Sequence, residues 1–175
     1  MCYYWRPCNL QPTDGNRSFG VTDLKPANIM VVRDDDVIGG LRVKLLDFGI
    51  AKVWDEDETA QTSVGDQQPG TPSYMAPEQL TSMNKELDPS KMDVYALGAI
   101  LYQAVAGKLP LWAPDQIAMT YLLAHEEPAH LHTIDPMLPE ALVQLIHEML
   151  AKDPLRRPTM DQARERLKSR REIVS

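Results

Sequence analysis

"GVTDLKPANIMVV", residues 20–32, is the stretch whose reading decides the fold. Three polar side chains, Asp23, Lys25 and Asn28, stand just ahead of the run Ile29-Met30-Val31-Val32. A run of this kind, rich in β-branched residues, predicts a strand, so the polar triplet falls in the turn that feeds it. Side chains on a loop held by a rigid strand are well placed for chemistry. "RDDDVIGG", residues 33–40, predicts a reversal, with a second short strand over Leu41–Leu46. Asp47, Phe48 and Gly49 follow directly, so an acidic side chain leaves the second strand where the polar triplet enters the first.

Outward from this hairpin the chain changes character. Residues 55–70 are acidic, rich in Gln, Thr, Ser and Gly, and without a period, which reads as a surface loop. "APEQL" at 76–80 predicts a short helix. "SKMDVYALGAILYQAVAG", residues 90–107, opens on a polar cap candidate, Ser90, runs almost wholly apolar and stops at a glycine. A helix apolar around most of its circumference belongs in the middle of a domain. Further helices are expected at Asp115–His125, Pro139–Leu150 and Thr159–Leu167, with Asp153-Pro154 as a stop. "KSRREIVS" reads as a solvated basic end, and no internal repeat or low-complexity tract is present.

Composition sets the bounds. With 175 residues, 43% of them hydrophobic, the chain can build one domain with a core. A net charge of −7, from 25 acidic and 18 basic residues, argues against nonspecific binding to nucleic acid or anionic membranes. Cys2 and Cys8 match no compact zinc spacing and make no disulfide framework. No stretch is long and apolar enough to cross a bilayer, and the leader "MCYYWRPCNLQ" lacks a signal-like core. The expected location is cytoplasmic.

Five stretches now line up in order: "DLKPAN" at 23–28, "LLDFG" at 45–49, "GTPSYMAPE" at 70–78, "DVYALG" at 93–98 and "DPLRRPT" at 153–159. The set resembles the catalytic lobe of a serine/threonine protein kinase of the bacterial, eukaryotic-like type. The resemblance implies a protein-kinase-like α+β fold: a mainly helical C-terminal lobe carrying a small β-hairpin, with the N-terminal lobe absent. It divides the chain into an irregular leader at 1–19, a partial kinase domain at 20–170 and a solvated tail at 171–175.

The same resemblance assigns roles. Asp23 corresponds to the residue that accepts or orients the acceptor hydroxyl's proton, and Lys25 to the lysine on the γ-phosphate of ATP. Asn28 and Asp47 correspond to the Mg²⁺ ligands, whose hard oxygen donors suit that ion. Met30 would lie beneath the adenine, and Phe48 within the lobe's hydrophobic stacks; both also read as core residues. Thr71 would shape the wall that receives a Ser or Thr acceptor. Glu78 and Arg157 resemble a buried ion pair at the end of the activation segment. Asp93 resembles the acidic residue at the start of the central helix that braces the catalytic-loop backbone; a carboxylate can take backbone N–H groups at a helix start. Read singly, these residues are ordinary turn caps, surface side chains and strand ends. Thr59, Thr62 and Ser63 are candidate phosphorylation sites or plain loop hydroxyls.

Two departures qualify the resemblance. Val21 and Thr22 stand where the family has His-Arg, and Thr22 cannot make an arginine's bidentate bond to a phosphate. No G-x-G-x-x-G, V-A-I-K or amphipathic helix precedes Asp23. The expectation is therefore a chain weakly active or inactive alone, with a missing N-lobe or partner protein, and an ill-packed edge around Ile100–Val105. The alternatives are a noncatalytic interaction module docking through "AMTYLLAHEEPAHL", residues 118–131, or a truncated nonfunctional product. His125, His130, His132 and His147 show no ligand pattern, and surface or capping roles suffice for them.

Overall fold

The computed structural model describes residues 24–37, 39–46, 71–81 and 88–168. Strands β1 (Ile29–Arg33) and β2 (Leu41–Leu45) pair antiparallel, with Ile29 opposite Leu45 and Arg33 opposite Leu41. The reversal works because Gly39 and Gly40 adopt φ of 93° and 66°, a region that side chains with a Cβ disfavour. Asp34 fixes the start of the turn: its carboxylate accepts from Asp36 N–H and from the Arg42 guanidinium. The Arg42 bond, with the Asp36 bond behind it, holds the Asp34 carboxyl below its usual range.

The rest is helical: α1 (Pro77–Thr81), α2 (Pro89–Ala106), α3 (Gln116–His125), α4 (Glu140–Met149) and α5 (Met160–Lys168). The central helix is α2, and it buries Val94, Tyr95, Ala96, Gly98, Ala99 and Tyr102 on several sides. Its cap is Asp88, whose carboxylate accepts from Ser90 N–H at 3.0 Å, and not Ser90 as its polarity suggested. Pro89 explains the shift, since a proline at the first helical position gives up an N–H that has no partner there anyway. Gly107, at φ 69°, closes the helix by donating to Gln103 C=O. Asp115 caps α3 through Ala118 N–H, and Thr159 and Gln162 cap α5 reciprocally, side chain to backbone in both directions. Pro139 lies just outside α4 as its cap residue, one position earlier than expected.

Two apolar clusters flank α2. One gathers Ala76, Tyr95, Ala99, Tyr102, Met119, Leu123, Leu131, Val143, Ile146 and Leu150; the other joins Val94, Leu145, Met149 and Ala163. The expected ill-packed edge at 100–105 is not found: Tyr102 is fully buried, and Leu101 and Val105 pack against the first cluster. The hairpin belongs to neither cluster, and Met30, expected to read as core, is 43% exposed. Its strand has no covering layer among the described residues. No described helix is long and apolar enough to cross a membrane.

Helices α2 and α4 come close at Gly98, where an added Cβ would sit 2.8 Å from Met149 Cβ. Gly98→Ala gains up to roughly 1 kcal/mol of helix propensity. It also forces the helices apart, at a cost of roughly 1–3 kcal/mol. The expected net result is a lower melting temperature by circular dichroism. Lys152 offers the opposite case: its Nζ is buried without a hydrogen-bond partner, and burial holds its pKa below the usual lysine range. The unfolded chain therefore binds that proton more readily, and the penalty is present at neutral pH and relieved as pH rises through the lowered pKa. Lys152→Met should raise stability at neutral pH by on the order of 1 kcal/mol in urea unfolding.

Candidate functional site at the hairpin mouth

Lys25 is extended, at φ −151° and ψ 160°, and Pro26–Asn28 makes one 3-10 turn, closed by Asn28 N–H donating to Lys25 C=O at 2.9 Å. Pro26 presets that turn at a position where its missing N–H is not needed. The chain then enters β1. Leu46 N–H donates to Asn28 C=O at 2.7 Å, which carries the ladder one pair beyond Ile29 and Leu45. The entry to β1 and the exit from β2 are thus locked side by side. Lys25 and Asn28 are both half-buried there and engaged with neighbouring groups. Asp23, Asp47 and Phe48 lie outside the described residues, as do the phosphorylation candidates Thr59, Thr62 and Ser63 and the Val21-Thr22 pair.

A second group of residues anchors the segment at 71–81. Thr71–Tyr74 forms a 3-10 turn, and the Tyr74 hydroxyl donates to Gln103 Oε1 of α2 at 2.6 Å. Burial pushes the Tyr74 pKa up. Ala76 is fully buried, and its N–H donates to Gln79 Oε1 at 2.8 Å. Then comes the ion pair: Arg157 Nη1 donates to Glu78 Oε1 at 2.6 Å and Nη2 to Glu78 Oε2 at 2.8 Å. The Arg157 side chain is 0% exposed and that of Glu78 8%. The remaining guanidinium protons go to the carbonyls of Ala151, Lys91 and Lys152, and the Tyr95 ring lies 4.9 Å from its carbon. Lys91 Nζ returns the contact at the carbonyls of Arg157 and Pro158. A guanidinium with every donor placed is the arrangement in which a desolvated charge is tolerated.

Asp93 lies inside α2, one turn past its start, half-buried and engaged. The catalytic-loop residues that it was expected to brace, up to Asp23, lie outside the described residues. Sequence reasoning missed Tyr74, Gln103, Lys91 and Tyr95. The Tyr74 and Gln103 side chains meet across 29 positions, and no local pattern announces such a pair. Lys91 carried a faint signal, as a cation just inside the helix that faces the "DPLRRPT" turn.

Comparison with known proteins agrees with this layout. The family model described as protein kinase domain matches residues 17–167. The chain is 38% identical over 138 residues to serine/threonine-protein kinase A of Synechocystis sp., a match covering 78% of this chain and 25% of that protein. It is 42% identical over 134 residues to serine/threonine-protein kinase Pkn1 of Myxococcus xanthus, covering 75% of this chain and 18% of that one. Among solved structures, the crystal structure of the Rad53 kinase domain and SCD2 in complex with AMPPNP superposes with a TM-score of 0.60 at 25% identity. That match covers 84% of this chain and 49% of the other. The chain belongs to the protein kinase domain family. It spans a quarter or less of the length of these two curated relatives.

The ion pair makes a sharp thermodynamic prediction. Arg157→Met strands the Glu78 carboxylate in a buried site and should cost roughly 3–5 kcal/mol in urea unfolding. Removing both charges, with Glu78→Leu added, should recover a large part of that loss, a coupling that a double-mutant cycle measures directly.

Proposed function

We propose that this chain is the catalytic lobe of an ATP-dependent serine/threonine protein kinase of the bacterial, eukaryotic-like type, transferring the γ-phosphoryl group to Ser or Thr of a protein substrate. The observation that carries the reading is the hairpin register, extended by the bond from Leu46 to Asn28. It holds the chain at residue 28 beside the chain that runs into Asp47, as a two-ligand clamp requires. The relatives' names support the Ser/Thr acceptor class, as do Lys25 in "DLKPAN" and Thr71 in "GTPSY".

In this reading Asp23 takes the proton of the acceptor hydroxyl and orients its oxygen, and Lys25 holds the γ-phosphate as charge builds on it. Met30 supports the adenine from its exposed strand position, Thr71 shapes the wall that receives the acceptor, and Phe48 belongs to the lobe's hydrophobic stacks. Asn28 and Asp47 would hold Mg²⁺, which when bound spreads the phosphate charge. The donor set fits that ion. An amide oxygen and a carboxylate are hard donors, and Mg²⁺ ordinarily takes one or two protein oxygens, with phosphate and water completing its shell. Glu78 and Arg157 act through position alone, fixing the end of the segment that carries Thr71.

A second reading, a noncatalytic interaction module, is favoured by Val21 and Thr22 in place of His-Arg, and by the exposed Ile117 and Tyr121 on α3. Calorimetric titration of the 175-residue chain with Mg-ATP separates the two. The catalytic reading expects saturable binding, weakened at least about tenfold, or 1.4 kcal/mol, by Asp47→Asn or Asn28→Ala. It also expects transfer of labelled γ-phosphate to a Ser/Thr protein acceptor that Asp23→Asn abolishes, at a low rate for the chain alone. A folded circular-dichroism spectrum with no Mg-ATP binding would sink it in favour of the interaction module.

A further inference from the structure

We propose that His130, His132 and His147 form a pH-sensitive latch that holds the segment between α3 and α4 against α2 and α4 at neutral pH and releases it on mild acidification. The latch involves none of the residues assigned to the nucleotide and stands independently of that assignment.

The key bond is unusual in direction. Leu131 N–H donates to His147 Nε2 at 3.2 Å, so that nitrogen must be bare and the ring proton must sit on Nδ1. Leu131 is fully buried in the first apolar cluster, and its amide is therefore satisfied from α4. The His130 ring stacks on His147 with centroids 4.7 Å apart and planes 8° apart. Two neutral imidazoles stack comfortably, whereas two imidazolium ions face to face repel. From the other side α2 grips the same segment: Tyr102 meets the His147 ring edge-on at 6.3 Å and donates its hydroxyl to Ala129 C=O at 2.9 Å.

His132 behaves differently. Its Nε2 lies 2.9 Å from Leu138 C=O, which can only accept, so that nitrogen carries the proton. Its Nδ1 lies 3.4 Å from Glu140 Oε2, where a second proton finds an acceptor. Its ring is 5.5 Å from that of His130. A proton on His147 instead removes the acceptor of the Leu131 amide. The charged and titratable groups around His147 are Glu127 and His130 on the preceding segment, His132 on the turn and Tyr102 on α2. Its helix neighbour Glu148 is engaged by Arg166 of α5. Glu127 favours the charged ring, but burial first and then His130 outweigh it, and His147 titrates below the ordinary 6.5. The unfolded chain therefore binds this proton more readily. The latch contributes its full stability above about pH 6.5 and loses it as pH falls through the lower folded value. The cluster is no metal centre, since the described residues contain no group of three or more ligands suited to one.

The test uses the 175-residue chain and two NMR measurements. Ring nitrogen shifts should show His147 as the Nδ1–H tautomer near neutral pH and titrating below 6.5. Protection of the Leu131 amide, corrected for intrinsic exchange, should fall by about tenfold for each pH unit below that titration. His147→Gln replaces the ring with a carbonyl that still accepts the amide but does not titrate, so its Leu131 protection should be independent of pH. An Nε2–H tautomer in the unmodified chain overturns the latch, as does a variant losing protection just as the parent does. If the variant does not fold, the parent's tautomer and titration decide alone.

Discussion

The helical body is organised around one charge taken out of water. Arg157 comes from the turn between α4 and α5, Glu78 from α1, and the carbonyls that complete the guanidinium's shell from α2 and from residues 151 and 152. None of these groups would hold such a geometry alone, because the contacts join α1, α2 and the connection between α4 and α5. Desolvating an arginine is costly unless the full fork is satisfied, so the elements must arrive together or not at all. The pair thereby adds a polar tie to a segment that already sets Ala76, Tyr74 and Leu80 against the first apolar cluster. Tyr74 and Gln103 fasten the same segment at its other end.

That constraint links the fold to the proposed chemistry. The segment carrying Thr71 is fixed from below by α2, while Lys25 and Asn28 are fixed by backbone geometry: a proline-started turn, then a ladder. Precision at the two places has different origins. At one it comes from buried charge and side-chain bonds, at the other from main-chain hydrogen bonds that depend little on side-chain identity. Family membership accounts for both being present in one chain.

Much of this was legible in the sequence, for identifiable reasons. The hairpin could be read because a β-branched run and a second short apolar run flank a Gly-Gly turn, and α2 because a long apolar run ends on a glycine. Glu78 and Arg157 were legible only through resemblance; nothing in their local patterns predicts a contact across 79 positions. Boundaries slipped by one or two residues where a proline or aspartate competed for the cap, as at Asp88 and Pro139. Met30, read through the resemblance as lying beneath the adenine and equally as a core residue, is 43% exposed, and the strand residues Val31 and Val43 are more than half exposed. The histidines were read as surface or capping residues, and spacing in the chain could not show that His130 and His147 stack ring on ring.

The glycine turn at the far end of the hairpin has a remote consequence. Five paired residues at about 3.4 Å each put Gly39 and Gly40 roughly 17 Å from Asn28, beyond the reach of any direct contact. Yet the offset between the strands is set at that turn, and a slip of a single residue would exchange the two faces of the ladder. The turn therefore works as a gauge block. Lengthening or shortening it would misalign residues 28 and 46 while leaving every side chain near them unchanged.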